Sequence, residues 1–486
     1  MLDFNHTLMK GSKSYIAVIS TAVLLFAFAS CKKYIEVGDN PNQVIDPPLN
    51  TLLSTVTAKT GNNIFTVANI TSYFTQHLAN PAVSGSTDTY QLTDYSNTWD
   101  SLYYTMGDIN ELKKKATAAE ATEQVGVSNL LMAYHLDLVI DLWGQGPYTE
   151  AFREEILTPK YDDPEALYNS TLALVNEGLA ELSQPKDSTK VGLGKADDVI
   201  YNGDKGKWIK FGNLLKARLL NKLSKKASYN PAAVLAAVSL SFTGNADNAR
   251  MGNYADKNPW ANIALDNSNL LLGGWLSEQF VDAMNGKTYG VVDPRIARIT
   301  DPTITGTYVG TPNGAGNVGP ANNTVKDEVY ISLNSPLTGR TSPIYIATFA
   351  ELKFIEAEAA FRLEGAGSAR AYQAYLDGIR ANMELLGVTA VDQATYLASG
   401  AVAASAADLN LDLIFKEKYI VTYLSPEAWV DARRYDYKYK DFTLPAHAAL
   451  TEFIRRVDYV DAEKSENGIN VPQITSLADR LWWDTP

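Results

Sequence analysis

One cysteine in 486 residues excludes any internal disulfide, so the fold stands on packing alone. Histidine is almost as scarce: His6, His77, His135 and His447 are the only four, and none lies within metal-ligand spacing of another. A nucleophilic serine lacks its strained setting, because no Gly-x-Ser-x-Gly occurs. The glycine-bearing GQGPY at 144–148 lacks the Gly-Lys-Ser/Thr ending of a phosphate loop and reads as a turn that terminates a helix. Positive charge is in deficit, with 42 Lys and Arg against 55 Asp and Glu, and the net charge of −13 repels nucleic acid and other polyanions. Carboxylate pairs for glycoside cleavage occur in any acidic chain. Here Glu356 and Glu358 stand two apart on a helix, face differently, and read as solvated or capping groups. The expectation is a binding protein rather than an enzyme, with no catalytic residue, no metal and no cofactor.

What is present begins at the lone cysteine. Lys10 and Lys13 precede an apolar run at 15–29 (YIAVISTAVLLFAFA), and small Ala29 and Ser30 precede Cys31. That is a secretory signal ending in a lipobox, with Phe28 in place of the usual leucine. The run is shorter than the roughly 20 apolar residues of a membrane span, and no later stretch is expected to reach that length. Residues 1–30 are therefore read as a removed signal peptide and Cys31 as the lipidated residue, since two or three acyl chains give stable membrane attachment. The removed segment carries Asp3, Lys10 and Lys13, so the 456 residues left have a formal charge of −14.

Residues 31–50 read as a polar tether, and 51–486 as a single domain. Apolar periodicity predicts helices over about 51–79, 98–115, 122–142, 164–183, 204–227, 345–364, 368–386 and 406–424. Helix pairs of this length point to a mainly α fold, a right-handed, solenoid-type scaffold of tetratricopeptide-like pairs. From about 240 to 345 that periodicity disappears, and Gly, Asn, Thr and Pro dominate 303–325. Loops of this length are functional or disordered, and aromatics from Tyr254 to Tyr330 argue against disorder. Trp99 and Tyr103 are four apart on one helix face and read as core. Glu417 with Lys418, and Trp429 with Arg433 and Arg434, read as an ion and stacking cluster that locks the last helix pair.

A pyranose offers an apolar face and a rim of hydroxyls, so its sites pair an aromatic platform with short polar side chains. The loop 84–97 (SGSTDTYQLTDYSN) has that mixture, with Tyr90 and Tyr95 among Asp88 and Asn97. Trp260, Trp275, Asn285 and Tyr289 add to it from the insertion. These eight residues are the expected ligand-binding set, with Tyr90 and Tyr95 facing Trp260 or Trp275.

An ordered set of blocks resembles the SusD/RagB family of outer-membrane nutrient-binding lipoproteins. It comprises the lipobox, DNPN at 39–42, TWDSLYYTMGDIN at 98–110, DLWGQGPYTEAF at 141–152, WIKFGNLLKARLLNKL at 208–223, DPRI at 293–296, FAELKFIEAEAAFR at 349–362, IFKEKYIVTYLSPEAWVDARRYDY at 414–437 and RLWWD at 480–484. The resemblance implies a loop-built binding face on a helical scaffold, lipid-anchored in the outer membrane and displayed at the cell surface. It implies capture of oligosaccharides, or in some members peptides, for a partner TonB-dependent, SusC-like transporter. Lys32 and Lys33 depart from the acidic residues associated with surface export in that family. Two other readings stay open on the residues alone: a lipid-anchored helical-repeat scaffold, which leaves the aromatic, Gly-rich insertion unexplained, and a glycan hydrolase, for which no poised dyad is evident.

Overall fold

The computed structural model describes residues 47–185, 187–252, 254, 256–268, 273–319 and 326–486. The apolar run, Cys31 and most of the tether lie outside the described residues. Leu49–Pro486 forms one compact unit.

Fifteen helices are found among the described residues: α1 Leu49–Phe74, α2 Ser96–Ala118, α3 Thr122–Trp143, α4 Pro164–Ser183, α5 Lys205–Lys222, α6 Pro231–Val238, α7 Pro259–Ser268, α8 Glu278–Asp282, α9 Ile296–Ile299, α10 Phe349–Glu364, α11 Ala369–Leu386, α12 Ala390–Leu397, α13 Leu411–Val421, α14 Glu427–Arg434 and α15 Asp461–Glu466. The fold is mainly α, built from helix pairs of the tetratricopeptide kind. Each helix from α1 to α6 packs on the next, and α10 then packs against α6, α11 and α13.

Local chemistry sets the helix ends. The side chain of Asp163 accepts from the Glu165 and Ala166 amides, and Pro164 supplies a first-turn residue that needs no donor. Thr348 accepts from the Glu351 amide to open α10. Gly144, at φ +87°, ends α3 with its amide on the Ile140 carbonyl, so GQGPY is the helix-terminating turn that its sequence predicts. Close packing also constrains composition. A Cβ on Gly178 of α4 would stand 2.9 Å from the Gly126 carbonyl oxygen of α3, so glycine lets these two backbones approach.

Several expected boundaries shift. Residues 344–347 form strand β4 rather than the start of α10, because Thr348 caps the helix one residue later. Helix α5 stops at Lys222 and α13 spans only Leu411–Val421. Helix α3 overturns the expectation about apolar length: it is long and apolar enough to cross a membrane, although 94% of its apolar window is buried within the protein. Two of its charges, Asp137 and Asp141, are paired internally with Lys222 rather than marking a solvated face.

The insertion is less irregular than its composition suggests. It holds α7, α8, α9 and short antiparallel ladders. Strand β1 (Leu78–Ala79) pairs with β3 (Trp275–Leu276), and β2 (Ala249–Met251) pairs with β4 (Ile344–Ala347). The first ladder fastens the insertion to the segment that leaves α1, and there a cleft opens.

Candidate binding cleft

After α1 the chain turns through Gln76, whose φ of +52° breaks the helix. The buried His77 ring meets the Tyr419 carbonyl oxygen at 2.9 Å and is held neutral, its pKa pushed down to about 3 by burial. The Ser277 amide donates to the His77 carbonyl, and Ser277 Oγ bonds Asn313 Oδ1 at 2.5 Å. Asn313 Nδ2 donates to the Leu78 carbonyl at 2.9 Å and also to Asp88. The second Asp88 oxygen accepts from the Gly314 amide, and the Ala446 amide donates to the Asn313 carbonyl at 2.9 Å. Asn313 thus pins three distant stretches of chain together. Asp88 is the buried anchor beneath it, its carboxyl pushed up to about 6 by burial.

Above this floor lies a cleft of about 450 Å³. Gln76, Ser277 and Asn313 line its base; Glu278, Gln279, Asp282, Lys287 and Thr288 form one wall; the segments 312–315 and 441–446 form the other. Lys287 reaches Asp282 at 2.7 Å and Glu278 at 2.9 Å, and those hydrogen bonds hold its pKa above the ordinary lysine value. The lining alternates amides, hydroxyls and carboxylates with the apolar faces of Pro312, Leu444 and Pro445. Such a surface both donates and accepts hydrogen bonds, as a hydroxyl-rich ligand requires.

The eight expected ligand residues are not brought together. Asp88 supports the cleft floor from behind. Asn285 bonds Asp282 Oδ1 at 3.0 Å beside the wall, and Tyr289 lies next to Thr288 with the Lys440 ammonium 5.6 Å from its ring. Tyr90, Trp260 and Trp275 are corrected in role: all three are buried, with their rings packed against protein. Tyr90 meets Phe74 edge-on at 6.3 Å, Trp260 meets Phe65 at 4.8 Å, and Trp275 lies 6.2 Å from Tyr330. A buried ring has no free face to offer a sugar, so the expected platform of Tyr90 and Tyr95 against Trp260 or Trp275 does not form. Tyr95 is half-buried at the start of α2, and Asn97 is exposed in a separate groove between α1 and α2. The wall 441–446 was not foreseen. It is far away in sequence, and its only local signal is a turn with Asp441 at φ +61° and His447 at φ +58°.

The densest charge cluster lies elsewhere, inside the helical body. Asp137, Asp141 and Glu427 approach within 4.8 Å of one another, as metal ligands would. The Lys222 ammonium already binds Asp137 and, at 2.6 Å, Asp141. Glu358, read from sequence as solvated, is buried and accepts two 2.8 Å bonds from Arg434. The pairing foreseen at the C-terminal helices holds in kind but not in detail. Lys418 binds Asp431, whereas Glu417 binds Arg295 and Lys416. The Arg433 guanidinium stacks 3.7 Å from the Trp429 ring centre.

Residues 41–459 match the sequence model of a SusD-like family described as starch-binding associating with outer membrane. No curated protein matches. Among solved structures, a chitin-binding SusD homologue from Flavobacterium johnsoniae superposes with a TM-score of 0.75 at 23% identity, covering 89% of this chain and 98% of its own. A SusD homologue from Bacteroides fragilis gives 0.74 at 20% identity, covering 90% and 100%. A SusD/RagB family protein from Bacteroides thetaiotaomicron gives 0.72 at 19%, covering 90% and 99%.

Proposed function

Because the chain belongs to the SusD-like family, we propose that it is a glycan-capturing protein of the outer membrane that passes its ligand to a TonB-dependent transporter without cleaving it. The observation that carries this reading is the cleft of about 450 Å³, open to solvent and lined by amides, hydroxyls and carboxylates. Its only cation among the described residues, Lys287, is spent on Glu278 and Asp282, so the lining suits a neutral polyhydroxylated ligand better than an anion. The family description and the chitin-binding neighbour support the glycan class. In this reading residues 1–30 are a removed signal, Cys31 carries the lipid, 31–50 is a tether and 51–486 is the binding domain, displayed at the surface.

Retention of residues 32–486 on insoluble chitin and starch, beside a peptide column, tests the reading. Binding to a glycan with no product released over hours is expected. Retention by peptide alone, or product whose release is lost when a carboxylate is replaced, overturns it. Detergent partitioning of full-length protein and Cys31→Ser tests the anchor: the variant should move to the aqueous phase, and unchanged partitioning rejects lipidation at Cys31.

A further inference from the structure

A second polar hollow lies away from the cleft, between α1 and α2. Lys59, Asn62 and Asn63 line it from α1, and Asn97, Asp100, Ser101, Tyr104 and Thr105 from α2, around about 420 Å³. Asn97, Asp100, Ser101 and Tyr104 share one face of α2, at helical spacings of three and four.

Tyr104 is 69% exposed and is the only exposed aromatic side chain among the described residues. Its neighbour Tyr103 instead stacks 4.5 Å from Trp99 and donates to the Pro147 carbonyl. The other described rings of this chain are buried or half-buried, so Tyr104 leaves open an apolar face that packing would otherwise cover.

The polar groups around it divide sharply. Asn63 is satisfied within the body, its Nδ2 donating to Thr105 Oγ1 at 2.9 Å and its Oδ1 accepting from Ser101 Oγ at 2.6 Å. Lys59 is paired with Asp108 at 2.6 Å and closes one end. The side chains of Asn62, Asn97, Asp100 and Tyr104 have no hydrogen-bond partner among the described residues. The groove therefore presents one aromatic face, two amides that each donate and accept, and one carboxylate acceptor, with Lys59, its only cation among the described residues, neutralised.

From this geometry we infer that the groove between α1 and α2 is a second carbohydrate-contact site, in which a neutral pyranose stacks on Tyr104 and its hydroxyls bond Asn62, Asn97 and Asp100. The unpaired carboxylate and the acidic chain disfavour an anionic sugar there. The inference rests on the glycan-capture reading. It adds that a long chain is held at two places, one in the loop-built cleft and one on the helical scaffold.

The test uses chitohexaose and maltohexaose with wild type, Tyr104→Ala, Tyr104→Phe and Asn62→Ala in titration calorimetry, with a thermal melt of each variant. Tyr104→Ala should weaken binding of the hexasaccharide that wild type prefers by about tenfold or more, or reduce the stoichiometry from two sites to one. Tyr104→Phe should stay within about threefold of wild type, because the ring face does the stacking, and Asn62→Ala should fall between the two. All three should melt with wild type. If wild type binds and Tyr104→Ala binds equally well, the inference is wrong while glycan capture stands. If wild type binds no neutral oligosaccharide on an array, glycan capture fails and the groove fails with it.

Discussion

Two regions of this protein are rich in carboxylates and other polar side chains, and they use them in opposite ways. In the helical body, charged groups of α3, α5, α10, α13 and α14 are buried and tied to one another. Arg434 donates to both Glu358 oxygens at 2.8 Å and to Asp431 at 2.6 Å. Arg218 grips both Glu351 oxygens at 2.9 Å, and Lys222 sits between Asp137 and Asp141. In the cleft, Asp441 and Thr443 face an open volume instead, beside Gln76, whose amide donates to the Thr443 carbonyl at 2.7 Å. Density of ionisable groups therefore does not mark the cleft. What distinguishes the cleft is that side chains such as Asp441 and Thr443 keep polar atoms open to solvent, whereas the body's buried carboxylates are tied to cations.

That contrast is most directly broken at Arg434. If the buried lattice holds helices together, Arg434→Ala strands Glu358 and Asp431 in a medium with no water to replace the guanidinium. Removing one partner of a buried pair costs on the order of 3–5 kcal/mol, far more than an intact pair is worth relative to apolar packing. Denaturant unfolding of the variant should show that loss, with glycan affinity of the folded fraction unchanged. A stability change below about 1 kcal/mol would mean that these charges are incidental, as exposed ion pairs usually are.

A pH-dependent effect comes from Glu427, where the lattice is least evenly balanced. Its carboxyl stands 3.3 Å from Arg218 Nη1, but that guanidinium is already engaged by Glu351. Burial pushes the Glu427 pKa up from 4.5 to about 8, with Arg218 opposing the shift and Glu351 reinforcing it. The folded protein keeps a proton that the unfolded chain releases above about 4.5, so the contribution to stability is full below that pH and is lost as pH rises toward 8. Asp141, pushed up to about 6 by burial, acts with the same sign over a narrower range. Glu427→Gln is neutral throughout and should flatten the decline between pH 5 and 8 by up to about 1.4 kcal/mol per pH unit. Parallel stability curves for variant and wild type would show that Glu427 is ionised in the fold.

The same contrast explains what could be read from sequence. Helix α3 was legible over 122–142 because its apolar residues run nearly unbroken, and Trp99 was legible as core from its spacing with Tyr103; it is 4% exposed and meets Trp143 edge-on at 4.9 Å. Periodicity reports which face of a helix is apolar, so the scaffold showed through. It says nothing about loops. Tyr90 and Trp275 sit in Gly- and Thr-rich surroundings, where an inward ring and an outward ring have the same neighbours in sequence. What buries them is distant: Phe74 and Tyr437 around Tyr90, and Tyr330, which lies 55 residues further along the chain than Trp275. Glu358 shows the complementary failure. Two residues from Glu356 on α10, it belongs to a buried face only because Arg434 arrives from α14 to neutralise it.

The finest test falls on the cleft itself, at Asp441. Its side chain lines the wall and has no hydrogen-bond partner among the described residues, so little of the fold depends on it. Its backbone is left-handed at φ +61°, which asparagine tolerates well and alanine poorly. Asp441→Asn therefore removes the charge while keeping the turn, and stability should stay within about 0.5 kcal/mol of wild type. A hydroxyl bonded to a carboxylate is held more strongly than one bonded to an amide by about 1 kcal/mol, so glycan affinity should fall roughly fivefold. The direction is informative because the substitution also makes an acidic protein less so: a non-specific electrostatic effect would leave affinity for a neutral ligand unchanged. An unaltered affinity in Asp441→Asn, set beside a loss in Tyr104→Ala, would move the principal contact from the loops to the helical scaffold and reverse the roles of the two polar surfaces.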